Sequence, residues 1–224
     1  MLKLKNIISK HTTFVRYKLI SMLIKYMTPR LHQVMDIINL IRSLNPAFED
    51  NIISRTPRPS ILMMKQYFFN SNSLIGAEIG VMKGNNSISI LKELNISKLY
   101  LIDIWDEYEE VQTNFDNLKN YEYVLNQFKN NERVEIIKAF SHEASKKFEN
   151  KSLDFVYVDA NHKYKFIYQD LECWYPKVKN GGIMAGHDLF NAIGVLNAVK
   201  DWCFKHKIIF NINPPDWYFI KTGS

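Results

Sequence analysis

The sequence predicts an α/β protein: a doubly wound, seven-stranded, mostly parallel sheet with a helical N-terminal extension. Three observations carry this. From residue 61 onward, short apolar runs alternate with segments of helical periodicity. The first of those runs ends in a glycine turn that opens a helix. The last two follow each other with no helix between them, as an antiparallel edge hairpin would.

Taken in order, Ile20, Leu23, Ile24 and Met27 share one helical face. Thr28-Pro29 reads as a helix start, and Leu31, Val34, Met35, Ile38 and Ile41 form a second amphipathic face that Asn45-Pro46 ends. Arg55 to Ser60 (RTPRPS) reads as a linker. The chain is therefore divided into a basic helical extension, residues 1–60, and a domain, residues 61–224.

Within the domain, Ile61 to Phe69 is helical and Leu74 to Gly80 is the first strand. A helix over Ser87 to Leu94 leads to a strand over Lys98 to Trp105 (KLYLIDIW). Val111, Phe115, Leu118, Tyr121, Leu125 and Phe128 mark the inner face of a long helix, and Val134 to Phe140 is the third strand. A short helix to about Phe148 precedes strand Leu153 to Asp159. The next helix carries Ile167, Leu171, Trp174, Tyr175 and Val178 on one face, and Gly181-Gly182 turns the chain into strand Ile183 to Gly186. Val195, Val199, Trp202 and Cys203 mark the last helix. Strands Ile208 to Ile212 and Trp217 to Lys221 close the chain, joined by Asn213-Pro214-Pro215-Asp216.

Composition narrows the function classes. Hydrophobic residues are 46% and charged residues 23% of 224, which excludes wholesale disorder. Two cysteines, Cys173 and Cys203, cannot make a disulfide framework and lack zinc spacing; both sit on apolar helices, as core residues do. The apolar stretch Leu19 to Ile24 is far short of the roughly 20 residues of a spanning helix, so a cytoplasmic location is expected. Residues 1–60 hold ten Lys/Arg against three Asp/Glu, whereas the rest holds 19 against 20. The body is thus not basic, and no nucleic-acid partner is expected. For the basic extension three roles stay open: contact with an anionic membrane surface, a cleft cap or homodimer interface, and a solvated arm. The apolar face from Leu31 to Ile41 needs burial, which favours the second.

Glu78-Ile79-Gly80-Val81-Met82-Lys83-Gly84-Asn85-Asn86-Ser87 follows a strand and opens a helix. Gly80 permits a tight turn and a close ligand, and Gly84 permits close packing at the helix start. The N–H groups of the turn, Val81 included, face the ligand position. The spacing is G-x-x-x-G, not the dinucleotide G-x-G-x-x-G, and Glu78 would repel a pyrophosphate but attract a cation. S-adenosylmethionine, with its ammonium and sulfonium, is such a ligand. Asp103 ends the second strand at the distance where an acid binds a ribose hydroxyl pair.

Asp159, His162, His187 and Asp188 fall at or just after the C-terminal ends of the fourth and fifth strands, so one sheet edge gathers them beside the glycine turn. A hydroxyl that is to attack a bound donor needs its proton removed or its pKa lowered. A carboxylate pair, Asp159 and Asp188, suits Mg²⁺, and a histidine suits a base. Against this, Asp159 can serve as a helix cap and His187 as a donor to a backbone carbonyl.

AEIGVMKGNNS, LIDIW, LDFVYVDANHKY and GGIMAGHD, in this order, resemble the class I S-adenosylmethionine-dependent methyltransferases, in the branch of sugar and small-molecule O-methyltransferases and cephalosporin-hydroxylase-like proteins. The resemblance covers roughly residues 61–221. It implies a Rossmann-like sheet with an antiparallel last strand. It implies that Glu78 and Gly80 contact the methionine part of the cofactor, with Val81 and Gly84 in the same turn. Asp103 would bind the ribose, Ile104 would pack on the adenine, and Phe140 and Ser141 would flank its edge. Metal-dependent relatives carry acids at Asp159 and Asp188 and an Asn or Asp where this chain has Leu189, so one expected ligand is missing. They place a Lys base where His162 stands, which makes His162 the first choice of base, ahead of His187.

The expected function is methyl transfer from S-adenosylmethionine to a hydroxyl of a sugar or other small metabolite, with a rate rising through pH 6–7 as His162 loses its proton. A non-catalytic cofactor-binding or membrane-associated scaffold is the alternative from another class. A nucleic-acid methyltransferase would need an Asn-Pro-Pro-aromatic motif after the fourth strand, where Asp159-Ala160-Asn161-His162 stands. Trp105 is open between cleft and packing, and Tyr108, Glu109 and Glu110 between a lid and an exposed helix start.

Overall fold

The computed structural model describes residues 56–106, 116–190 and 192–223. The two expected N-terminal helices, the proposed lid at Tyr108 to Glu110 and the helical positions Val111 and Phe115 lie outside them. In chain order the elements are α1 (Pro59–Tyr67), β1 (Leu74–Ile79), α2 (Asn85–Glu93), β2 (Ile96–Asp103), α3 (Asn117–Phe128), β3 (Val134–Lys138), α4 (Ser141–Ala144), β4 (Leu153–Val158), α5 (Tyr164–Trp174), β5 (Val178–Gly186), α6 (Ile193–Lys205), β6 (Asn211–Asn213) and β7 (Asp216–Ile220). Short 3₁₀ turns follow α4 and α5.

The seven strands among the described residues form one sheet in the order β3-β2-β1-β4-β5-β7-β6. β1 to β5 are parallel, and β7 runs antiparallel to both β5 and β6. Strand alternation explains why β4 reads as a continuous apolar run. Phe155 and Tyr157 enter the core layer under α1, α2 and α3, while Val156 and Val158 enter the opposite layer with Ile167, Leu171 and Trp174 of α5 and Val195 and Trp202 of α6. A parallel sheet covered on both faces leaves its C-terminal edge as the open place between helices.

Local expectations are corrected at four places. Val178 opens β5 instead of ending α5, because Pro176 has no N–H to continue the helix. Gly181-Gly182 does not precede β5 but lies within it, Gly181 exposed and Gly182 buried, where the register with β4 shifts between Leu153 and Phe155. The inner face of α3 is Asn120, Val124 and Phe128, while Leu118 and Leu125 point outward. β6 begins only at Asn211.

The linker expectation changes as well. Pro59 and Ser60 are buried at the start of α1, and Ser60 donates its backbone N–H and its hydroxyl to the carboxylate of Asp216, the first residue of β7. The folded unit thus includes residues placed in the extension by sequence.

Candidate active site

A cavity of about 1120 Å³ opens along the C-terminal edge of the parallel strands. Its walls include the β1–α2 turn, the end of β2, the starts of α4 and α5, and the residues after β4.

Glu78 is buried on β1 beside this cavity. Asn86 Nδ2 donates to its Oε1 at 3.0 Å, and the Ser87 hydroxyl donates to Oε2. Burial outweighs these bonds and pushes the carboxyl up to about 7. A cation arriving next to it would draw it into the ionised form.

Gly80 has φ +85°, and a Cβ there would stand 2.2 Å from the carbonyl oxygen of Asp159. The position is closed to side chains because β1 and β4 finish against each other. Gly84 serves differently from the cofactor contact implied for it. It caps α2 in the left-handed region, a Cβ would stand 2.9 Å from the Phe128 ring, and it is not part of the cavity wall. This is the helix-packing role read from the sequence.

Asp103 lines the cavity, but its carboxylate already organises the turn. Oδ2 accepts the N–H groups of Val81 and Met82, both at 2.8 Å, and Oδ1 accepts that of Trp105 at 3.1 Å. The Val81 N–H expected to face a ligand is therefore spent on Asp103, although Val81 itself stays in the wall. Trp105 is 3% exposed and donates its indole N–H to the Met82 carbonyl at 2.9 Å, so it both packs and closes the turn. Ile104, Phe140 and Ser141 line the cavity on the same side.

At the other end, the expected cluster forms. Asp159 follows β4 and receives Arg58 Nη2 on Oδ2 at 2.8 Å. His162 Nε2 lies 2.8 Å from Asp188 Oδ2 and 3.9 Å from Asp159 Oδ1. One ligand atom from each of Asp159, His162 and Asp188 lies within 4.8 Å of the others. Asp188 holds a left-handed φ of +59°. Burial works to raise its pKa, yet hydrogen bonds from His162 and His187 hold the carboxyl well below the usual carboxylate range.

Two expectations about bases change here. The carboxylates of Asp159 and Asp188 push His162 up to about 10, which favours its protonated form at neutral pH. The expected rise of rate through pH 6–7 does not fit this environment. His187 is buried, its side chain 3% exposed, behind the cavity wall. Its Nδ1 is 3.0 Å from Asp188 Oδ1, and its Nε2 points 3.9 Å from Asp216. It can orient Asp188.

The donor set fits a divalent cation: two carboxylates and an imidazole converge, and Asp159 keeps Oδ1 clear of Arg58. Leu189, where relatives carry another ligand, is a core residue 1% exposed. His162 supplies the third donor instead.

Arg58 was missed by sequence reading. It reaches from the segment before α1 into the cavity wall, over the Tyr157 ring at 5.9 Å. Burial works against its charge, but Tyr157 and the carboxylates of Asp159, Asp216 and Glu78 hold the guanidinium protonated. An arginine between two prolines carried no helical or strand pattern to mark it.

A family model described as a methyltransferase domain matches residues 77–189, from β1 to just beyond Asp188. Among curated proteins none matches significantly. Similar solved structures include the O-methyltransferase NovP, at 18% identity and TM-score 0.58, covering 73% of this chain and 78% of that one. A putative caffeoyl-CoA O-methyltransferase from Staphylococcus aureus is 16% identical with TM-score 0.54, over 82% and 91% of the two chains. The mycinamycin-pathway methyltransferase MycE, solved with Mg and S-adenosylhomocysteine, is 15% identical with TM-score 0.51, over 81% of this chain and 53% of that one. At these identities the likeness is one of fold. Among the described residues no helix is long and apolar enough to cross a membrane.

Proposed function

We propose, for a chain that belongs to the class I S-adenosylmethionine-dependent methyltransferase family, an O-methyl transfer to a hydroxyl of a sugar or other small metabolite. The observation that carries this reading is the convergence of Asp159 and His162, in the cavity wall, with Asp188, which stands against His162.

In this reading Asp103 holds the ribose while keeping the glycine turn in shape, and Glu78 faces the ammonium of the methionine arm. The acceptor oxygen attacks the sulfonium methyl in line. An O–CH₃ bond would form as the CH₃–S bond breaks, leaving S-adenosylhomocysteine, with the hydroxyl's proton passing to solvent water. Asp159, His162 and Asp188 would hold a divalent cation, the two carboxylates suiting Mg²⁺ or Mn²⁺ and the imidazole favouring Mn²⁺, which would lower the pKa of an acceptor hydroxyl bound to it. MycE, described with Mg and S-adenosylhomocysteine, is a fold relative in keeping with such a pairing. His162 gives up its proton on ligation and acts as a ligand, not as the base. His187 fixes Asp188 from behind, and Arg58 keeps one oxygen of Asp159 occupied, so the other is presented to the cavity.

The test is transfer of a labelled methyl from S-adenosylmethionine to a panel of sugars and small hydroxylated metabolites. The expected result is an ether product that disappears when the accepting hydroxyl is replaced by hydrogen. Methylation of an amine or of nucleic acid, with no hydroxyl acceptor modified, would overturn the reading.

A further inference from the structure

The sheet edge opposite the cavity, where β1, β4, β5 and β6 begin, gathers exposed apolar side chains. Phe204, Phe69 and Ile209 are the most exposed large hydrophobic residues among the described ones, at 84%, 82% and 70%. Phe69 lies in the turn from α1 to β1, Phe204 in the last turn of α6, and Ile209 between α6 and β6. Because β1 and β6 run in the same direction, these turns share one edge. Tyr67, ending α1, ties its turn to β5 by donating its hydroxyl to the Gly181 carbonyl at 2.9 Å. Three strands separate β1 from β6, roughly 20 Å at the usual strand spacing, so the apolar groups are spread along the edge.

Lysines stand among them. Lys151 precedes β4, Lys205 ends α6 and Lys207 follows it; all three are exposed. Pro176 accepts the Lys151 N–H at 2.9 Å, and the Tyr175 ring lies 6.5 Å from that of His206, so these turns adjoin. α6 stops in a Schellman cap: the Ile208 N–H donates to the Cys203 carbonyl at 2.8 Å, and that of Lys207 to the Phe204 carbonyl at 3.2 Å. The left-handed position of such a cap is usually glycine, yet here it is Lys207, at φ +55°. Lys151 holds the same conformation at φ +59°. Both side chains are kept at a backbone cost. Lys205 pairs with Glu172 at 2.9 Å, in an exposed contact that water screens. Residues 146–154, 172–179 and 202–210 hold seven lysines against three acids, whereas residues 61–224 hold 19 Lys/Arg against 20 Asp/Glu.

The partner of this edge must supply negative charge and an apolar interior over an extended area. A second copy would bring the same positive edge, and residues 1–60, with ten Lys/Arg against three Asp/Glu, are basic as well. Nucleic acid offers the charge but no apolar layer for Phe204 and Ile209. A lipid surface with anionic headgroups offers both. We propose that this edge seats the protein on an anionic membrane surface, with Phe69, Phe204 and Ile209 entering the headgroup layer and the lysines meeting the charged headgroups. The cavity, at the opposite edge, then opens toward water.

The experiment is binding of the full chain to vesicles of phosphatidylcholine alone and of equimolar phosphatidylcholine and phosphatidylserine, with Phe204→Trp as the reporter. The four native tryptophans, Trp105, Trp174, Trp202 and Trp217, are all buried, so the introduced indole reports the edge. Its emission should shift to the blue on the mixed vesicles, be quenched there by brominated acyl chains, and stay unchanged on phosphatidylcholine. Lys151→Gly combined with Lys207→Gly removes two charges where glycine suits the backbone. It should weaken binding by about tenfold or more without lowering the urea midpoint. Binding that leaves the reporter's emission unchanged, or that the two glycine substitutions do not weaken, overturns the proposal, because the contact then lies elsewhere in the chain. Equal binding to both vesicle types, no binding to either, or binding of duplex DNA in place of the mixed vesicles also overturns it.

Discussion

Chelation is expected to lower turnover by about 10³-fold or more, and added Mg²⁺ to restore it. A bound cation contributes several kcal/mol of charge stabilisation, and each 1.36 kcal/mol is about tenfold in rate. Asp188→Asn should lose the same factor and resist rescue. Asparagine tolerates the left-handed backbone that Asp188 holds, so the loss would report ligation, not misfolding. The pH dependence has a definite sign. A cation must displace the proton on His162, which Asp159 and Asp188 hold up to about 10. Cation affinity should therefore rise with pH across the neutral range and level off only near that value. Full turnover in EDTA, rising with pH toward 10, would instead make His162 a metal-free base.

Arg58→Met is expected to cost about 3–5 kcal/mol of stability at pH 7, measured by urea unfolding in EDTA. The substitution keeps an apolar stem over Tyr157 but removes the buried cation that Glu78, Asp159 and Asp216 share. Those carboxyls would then have no arginine among them, and their protonation would relieve part of the cost. The loss should consequently shrink at pH 5. An unchanged unfolding midpoint would show that Arg58 is a surface arm and that Asp159 orients without it.

The architecture was legible because the strands that are buried on both faces, such as LDFVYV, leave a continuous apolar signature. The meeting of Asp159, His162 and Asp188 was legible for a topological reason: residues that end neighbouring parallel strands must share one edge. What was not legible depends on contacts with no local pattern. Arg58 bonds to Asp159 across 101 positions of sequence, from a segment whose prolines suggest only a linker. The burial of His187 depends on the start of β7, where Trp217 donates to its carbonyl at 3.3 Å and Asp216 lies behind it. Asp170 is hidden by its helix, because a polar residue beside Leu171 looks like an outward position until Ser141 and the cavity are placed next to it. The charge state of His162 is set by two carboxylates brought together only by folding.

The central claim is that the cation cluster and the cofactor's methyl group share one cavity. Nuclear relaxation of ¹³C-methyl S-adenosylmethionine, bound to the protein and titrated with Mn²⁺, measures this directly. The account predicts strong enhancement of methyl relaxation by Mn²⁺ in the wild type and its loss in Asp188→Asn. Bound cofactor whose methyl relaxation is indifferent to Mn²⁺, in a protein that binds the ion, would contradict it.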